Sequence, residues 1–212
     1  MIYEVIKHAP RAAVVVFLLA IALAPAPLCA DQIICQDVSF PTITIVGTSD
    51  GDLHVRLPDG NIQRVPLVET LRIVADSVGG MKDFNRAERY NDQFEYQQAA
   101  VRYERALRSA DGFWLKIIEQ RLVRVYAASG KLERAITYFI KVAQDSPRAA
   151  ARIMPETWPT SKVGPVRRAI KRLKRVPVAA QSPDQAAVLG LLAYHFLVES
   201  GGADLDLRAA EV

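Results

Sequence analysis

The sequence predicts an α+β protein, with a small β unit followed by paired helices. Apolar residues alternate with polar ones between residues 43 and 57, which is typical of half-buried strands. From residue 83 onward they recur at spacings of three and four, which is typical of amphipathic helices. Half of the 212 residues are apolar, which is enough for the core of one or two small domains. Four parts are expected: an N-terminal signal segment at 1–30, a β domain at 31–78, helical hairpins at 79–148, and a helical extension at 149–212.

Residues 1–30 have the layout of a secretory signal peptide. Lys7 and Arg11 precede the apolar run Val14–Ala24, and prolines and the small residue Ala30 follow it. The run is short for a bilayer span of about 20 residues. The pattern predicts cleavage after Ala30 and export, to the periplasm, the cell envelope or the exterior. An uncleaved membrane anchor is the alternative.

Export changes what the charge and the cysteines imply. Removing residues 1–30 removes two basic residues and one acidic residue, so the formal net charge falls from +4 to +3. This balance, outside the cytosol, argues against a nucleic-acid partner. Cys35 is then the single cysteine, so no disulfide within the chain is expected. Cys35 is expected to be a buried small apolar residue, with an intermolecular link as the alternative.

Three strands are predicted around two glycine-containing turns, SDG at 49–51 and PDGN at 58–61, since glycine supplies the positive φ of tight hairpins. The segment 68–78 is ambiguous. It fits a helical turn at Val68–Thr70 followed by a strand at Leu71–Ala75, as in small SH3-like or Sm-like barrels. It also fits an amphipathic helix. The β unit is therefore expected to be a meander or such a barrel.

Two helix–turn–helix units with the same internal spacing are predicted between residues 84 and 147. Tyr90 precedes Ala99 by nine residues, and Tyr126 precedes Ala135 by nine. The apolar positions of the second helix of each unit are related by a shift of 36 residues: Ala99, Ala100, Tyr103, Ala106 and Leu107, then Ala135, Ile136, Phe139, Val142 and Ala143. An ordinary amphipathic helix does not predict this repetition.

The second unit resembles the tetratricopeptide repeat family. The residue types of the family's pattern occur in this unit at the expected spacing, at Leu122, Tyr126, Gly130, Ala135, Phe139 and Pro147. The first unit is degenerate, with Phe94 at the place of the turn glycine and Asp111 at that of the proline. The resemblance covers about residues 81–147, and it implies a concave groove lined by the first helix of each pair that binds a protein or peptide. The partner contacts that it implies are Glu88, Asn91, Asp92, Gln120 and Arg124.

The C-terminal part is predicted to be a helical cap. The segment 184–200 is apolar nearly all round, which predicts a buried helix that begins at Asp184 and carries His195 at the edge of the core. The proline-rich segment 152–165 is predicted to be a loop that carries Trp158 to a surface.

A basic amphipathic helix is predicted at 166–176. It is either a packed helix with solvated cations or a contact to an anionic membrane, an anionic polymer or an acidic partner. The residues assigned to the anionic contact are Arg168, Lys171, Arg172 and Arg175.

No catalytic, cofactor-binding or metal-binding residue is predicted. The sequence has no glycine-rich phosphate loop, no nucleophile elbow and no paired metal histidines. Asp50 and Asp52 lack the third acidic position and the distal glutamate of a calcium loop, so a hairpin turn is predicted there. The expected function is a non-catalytic protein–protein interaction scaffold of the envelope or extracytoplasmic space. The alternatives are a structural envelope protein attached through helix 166–176 to an anionic surface, and an enzyme whose carboxylates meet only in three dimensions.

Overall fold

The computed structural model describes residues 30–76, 81–155, 157–160, 163–177 and 182–199. In these residues five strands precede seven helices, which confirms the α+β arrangement. The signal peptide predicted for 1–30 lies outside the described residues, apart from Ala30. No helix among the described residues is long and apolar enough to cross a membrane.

The strands form one antiparallel sheet in the order β4-β3-β2-β1-β5. Its elements are β1 Asp31–Cys35, β2 Ser39–Ser49, β3 Asp52–Arg56, β4 Ile62–Pro66, a 3₁₀ helix at Leu67–Glu69, and β5 Thr70–Val74. The chain therefore runs as a meander through β4, and β5 returns to pair with β1. A helical turn followed by a strand is thus correct for the ambiguous segment, and the amphipathic helix is wrong.

The turn between β2 and β3 is the tight hairpin that SDG predicts. Ser49 pairs with Asp52, which leaves two residues in the loop. Both have positive φ, 51° at Asp50 and 85° at Gly51. Two consecutive positive φ angles match the twist of the flanking strands, so the turn extends the sheet without splaying it.

The helices follow as α1 Lys82–Asp92, α2 Tyr96–Leu107, α3 Gly112–Ala128, α4 Leu132–Asp145, α5 Pro147–Ile153, α6 Val163–Leu173 and α7 Pro183–Glu199. Helix α1 packs on α2, α2 on α3, and α3 on α4. Pro147 lies in the first turn of α5, where its missing N–H costs nothing, and the hydroxyl of Ser146 accepts the N–H of Ala149.

The turns inside the two helical pairs have the same backbone conformation. Phe94, with φ of 60°, and Gly130, with φ of 74°, occupy the left-handed region at equivalent positions. In each turn the next residue donates its N–H to the carbonyl of a tyrosine five residues earlier: Glu95 to Tyr90 and Lys131 to Tyr126, both at 2.8 Å. The spacing seen in the sequence therefore corresponds to one repeated turn.

These two turns give a matched pair of stability predictions. A Cβ at Gly130 would meet no atom within 4 Å, so Gly130→Ala tests the backbone alone and is expected to cost about 1 kcal/mol in urea unfolding. Phe94 is 76% exposed and packs edge-on against Tyr96 at a ring-centroid distance of 6.2 Å, so Phe94→Gly loses that surface contact but relieves the positive φ, and it is expected to gain about 0.5 kcal/mol. Equal unfolding midpoints for wild type and Gly130→Ala would contradict this interpretation.

The C-terminal helices pack on α4 through an aromatic cluster. Trp158 is buried edge-on between Phe139 of α4 and Phe196 of α7, at ring-centroid distances of 5.8 and 5.4 Å. The prediction that its loop carries Trp158 to the surface is wrong, because the indole fills the space between the two helices. Helix α6 packs on α4 and α7.

Helix α7 is only half buried. Leu189, Leu192 and Phe196 face the core. On the opposite side Leu191, Tyr194 and Val198 are 54%, 65% and 58% exposed. The prediction of a helix buried all round is therefore corrected.

Candidate partner-binding site

The face formed by the first helices of the pairs is covered by the sheet. Helix α1 packs on β5, and α3 packs on β2. As a result Glu88 is 0% exposed and Gln120 is 4% exposed. Neither is a surface residue, which corrects their assignment as partner contacts. The expected groove is occupied by the chain's own β unit.

Glu88 is the centre of a buried network between α1, α2, α3 and β5. Its Oε1 accepts hydrogen bonds from the Tyr103 hydroxyl and from Nε of Arg121, the latter at 2.9 Å. Its Oε2 accepts the N–H of Ile73 at 2.7 Å. Arg121 also donates to the carbonyl and hydroxyl of Thr70, both at 2.9 Å. Every charged group in the network is therefore paired.

The charge states of the network follow from its burial. Burial raises the pKa of Tyr103 well above its usual range, and the Glu88 carboxylate raises it further, so this hydroxyl stays protonated and donates. Burial alone would lower the pKa of Arg121, but the attraction of Glu88 outweighs it and the pKa is raised. Arg121 is therefore a permanent cation against β5.

These side chains also satisfy the open edge of the sheet. Strand β5 has β1 on one side and no strand on the other among the described strands. Glu88 and Arg121 bind the outward N–H of Ile73 and carbonyl of Thr70, and Asn85 accepts the N–H of Ala75 at 2.8 Å. Helix side chains thus take the place of a neighbouring strand on this edge.

The other sheet edge, β4, borders a cleft of about 520 Å³. The far side of the cleft is formed by the β1–β2 turn, the 3₁₀ helix and the start of β5. Three large apolar side chains of these segments are solvent-exposed: Val38 by 52%, Val68 by 38% and Leu71 by 49%. Exposed apolar side chains that converge on a concave surface are typical of interaction sites.

The cleft also offers polar groups. Arg64, Glu69 and Asp37 line it, so both signs of charge are present at its rim. Among the described strands none pairs with the outer side of β4, so the backbone N–H and C=O groups that point to that side have no strand partner. Such an edge can hydrogen-bond to an extended peptide.

The three remaining predicted contacts are not buried, and one of them, Arg124, bonds to a residue that lines the cleft. Nη1 of Arg124 donates to the carbonyl of Val68 at 3.3 Å, next to the cleft wall. Asp92 lies 4.0 Å from Arg72 of β5, which follows the cleft residue Leu71. Asn91 is half-buried beside Asp92. The structure therefore separates Asn91, Asp92 and Arg124 from the buried Glu88 and Gln120.

The exposed apolar residues of the cleft were not identified from the sequence. Leu71 has the same parity as buried Ile73 on β5, so strict alternation places both on the core side. The pairing of β1 with β5 shifts register between Ile34 and Cys35, which breaks that alternation.

Cys35 is half-buried and lines the cleft, so the expectation of full burial is corrected. Burial raises the pKa of its thiol, and the negative charge of Glu69 raises it further. A higher pKa leaves less thiolate at neutral pH. We expect Cys35 to react with a maleimide more slowly than free glutathione at pH 7.5. A faster reaction than glutathione would contradict this environment, and unfolding in urea is the control that should abolish the difference.

The basic helix is packed, with its cations outward. Its apolar residues Val166, Ala169, Ile170 and Leu173 are buried, so that face is not available to a membrane. Arg168 pairs with Glu133, with Nε 2.6 Å from Oε1. Lys171, Arg172 and Arg175 are exposed.

The acidic residues of the first hairpin turn contact α5. Asp50 accepts a hydrogen bond from Ser146 at 3.1 Å and Asp52 pairs with Arg152. Across the part of the chain that the structure describes, no group of three or more His, Cys, Asp or Glu side chains is arranged to hold a metal ion.

Comparison of the chain with family models, curated proteins and solved structures gave no match. Function is therefore inferred from the residues themselves.

Proposed function

We propose that the chain is a non-catalytic interaction module that acts outside the cytosol and holds an extended apolar segment of a protein partner. The observation that carries this proposal is the cleft, where exposed Val38, Val68 and Leu71 lie beside the free edge of β4. Main-chain hydrogen bonds to β4 would supply affinity, and the apolar walls would select alternate side chains of the peptide. The signal-like pattern of residues 1–30 supports export.

We infer finer fold relationships for both parts of the chain. The meander, the 3₁₀ helix before β5 and the pairing of β5 with β1 support an SH3-like barrel. The equal turns at Phe94 and Gly130 support tetratricopeptide-like hairpins. Because the sheet covers the first-helix face, the partner site of this proposal is the cleft and not the groove that the resemblance implies.

A peptide-display selection tests the proposed site. Peptides selected on the full-length chain would be measured on wild type, Leu71→Glu, Val68→Glu and the control Val101→Glu, which changes an exposed apolar residue on α2. We expect at least a tenfold loss of affinity, about 1.4 kcal/mol, for the two cleft variants and none for the control. Peptides that bind all four proteins equally would contradict the site.

A second measurement tests strand addition separately. A selected peptide is resynthesised with single N-methyl groups along its backbone. If it pairs with β4, N-methylation at alternate positions should weaken binding about tenfold, because alternate N–H groups point to the edge strand. Equal effects at every position would show that the peptide does not bind as a strand.

The exposed cations of α6 and of the turn that follows it support a second candidate function, attachment to an anionic membrane or polymer. Lys171, Arg172 and Arg175 point outward, but the burial of the apolar face limits such attachment to charge attraction. Binding to anionic vesicles would then fall steeply with added salt and with Lys171→Glu and Arg175→Glu together. Salt-independent binding would exclude it.

A further inference from the structure

The outward face of α7 is apolar along the length of the helix. It consists of the small residues Ala186, Ala187 and Gly190 in the first half, and of Leu191, Tyr194 and Val198 in the second half. The three large side chains are more than half exposed. Among the side chains that the structure describes, the charged residue on this face is Asp184, which lies at the start of the helix. A terminal helix of a stable helical stack normally carries a polar outer face, so we expect this apolar face to pack against another surface.

Gly190 gives a second, independent observation. A glycine in the middle of a helix destabilises it by about 0.5–1 kcal/mol relative to alanine. A Cβ at Gly190 would meet no atom within 4 Å, so no contact among the described residues requires a glycine there. A glycine at this position would be explained if the backbone of another molecule packed closely against the helix here.

We propose that α7 pairs with α7 of a second copy of this chain, antiparallel across a twofold axis that passes beside Gly190 and Leu191. In that register Gly190 faces Leu191 of the second copy, and Ala187 faces its Tyr194. Leu191 and Tyr194 of one copy then lie against small residues of the other, and Val198 lies against the exposed Pro183 at the start of the helix. A twofold interface requires such self-complementarity, because the same patch serves both copies.

The shape of the face favours α7 of a second copy as its binding partner. Because one half of the face has small residues and the other half has large ones, the same helix running in the opposite direction is complementary to it. The near absence of charge on the described part of the face also fits an apolar pair and not an acidic or basic ligand. One helix pair buries less than the roughly 1,200–2,000 Å² of a standard interface, so a dissociation constant in the micromolar range is expected. A dimer would present two clefts to one partner and raise its apparent affinity.

Sedimentation equilibrium of the full-length chain tests the pairing. Wild type is expected to change from monomer to dimer between about 1 and 100 μM. The Cβ of Gly190→Leu would meet no atom within 4 Å in the monomer, and leucine improves helix propensity, yet the side chain prevents close approach, so this variant is expected to stay monomeric with an unchanged or higher Tm. Leu191→Glu should also be monomeric, whereas the control Val101→Glu should dimerise like wild type.

Several outcomes would overturn the pairing. One is a wild-type monomer at about 100 μM, and another is a dimer that persists in both Gly190→Leu and Leu191→Glu. A wild type that dimerises only after deletion of residues 201–212 would show that the tail covers the face. Vesicle binding by monomeric wild type that Leu191→Glu abolishes would assign the face to lipid. Either of these last two results would show that the face does not bind a second copy.

Discussion

Replacing Arg121 with alanine is expected to lower the free energy of unfolding by about 3–5 kcal/mol. The substitution leaves the fully buried Glu88 carboxylate without its cation, and it leaves the carbonyl of Thr70 without its donor. An unpaired charge in the interior costs more than the pair contributes, because the protein no longer compensates its lost hydration. Since the network joins α1, α2 and α3 to β5, the loss should affect sheet and helices together.

Urea unfolding followed by circular dichroism measures this effect. Arg124→Ala is the matched control, because Arg124 lies on the same helix but makes one hydrogen bond of 3.3 Å, to Val68, and should cost less than about 1 kcal/mol. Arg121→Lys keeps the charge but loses the forked geometry and should fall between the two. If Arg121→Ala does not fold, Arg121→Lys still gives a measurable value. A cost below about 1 kcal/mol for both Arg121 variants would show that the network is not essential.

Phe139→Ala is expected to cost about 3–5 kcal/mol, the usual range for removing a large buried aromatic side chain. The ring is fully buried on α4 and packs edge-on against Trp158, which in turn packs against Phe196 of α7. The cavity therefore opens at the point where α7 attaches to the hairpins. We expect limited proteolysis to cleave the C-terminal part of this variant faster than that of wild type.

The neighbouring residue gives the control for this substitution. Tyr138 lies on the same helix but is half-buried and stacks on Tyr126 with a centroid distance of 6.0 Å. Tyr138→Ala should cost clearly less, about 1–2 kcal/mol, and should leave proteolysis of the C-terminal part unchanged. Equal effects of the two substitutions would contradict the role of Phe139 in holding α7.

Local patterns predicted much of the fold. The tight turn at 49–51 with a positive φ at Gly51 follows from SDG, and the equal turns at Phe94 and Gly130 follow from a spacing of 36 residues. Each of these features depends on a few consecutive residues or on one helix face. The strand at 70–74 stayed ambiguous because its apolar positions fit both a strand and a helix.

The burial of Glu88 and Gln120 was not predictable from the same patterns. Both stand at positions that are solvated on an isolated helix, and they are buried because the sheet packs on that face. The partner of Glu88 is Arg121, 33 residues away, and their pairing depends on the docking of β5. Polar residues at helix positions therefore identify a surface only after the packing of the whole chain is known. The same holds for Trp158, whose cover comes from α7.

The contacts between the sheet and the helices limit how long the helical stack can grow. At one end Glu88 of α1 binds β5, and at the other Arg152 of α5 pairs with Asp52 beside the β2–β3 turn. In the sheet, the strands β2 and β1 lie between the two strands that carry these anchor points. An additional hairpin inserted between them would separate one anchor from its strand, whereas open repeat proteins accept such insertions. The β unit thus limits how many helices can lie between its two anchor points, and length variation in this architecture is expected in its loops and not in added helix pairs.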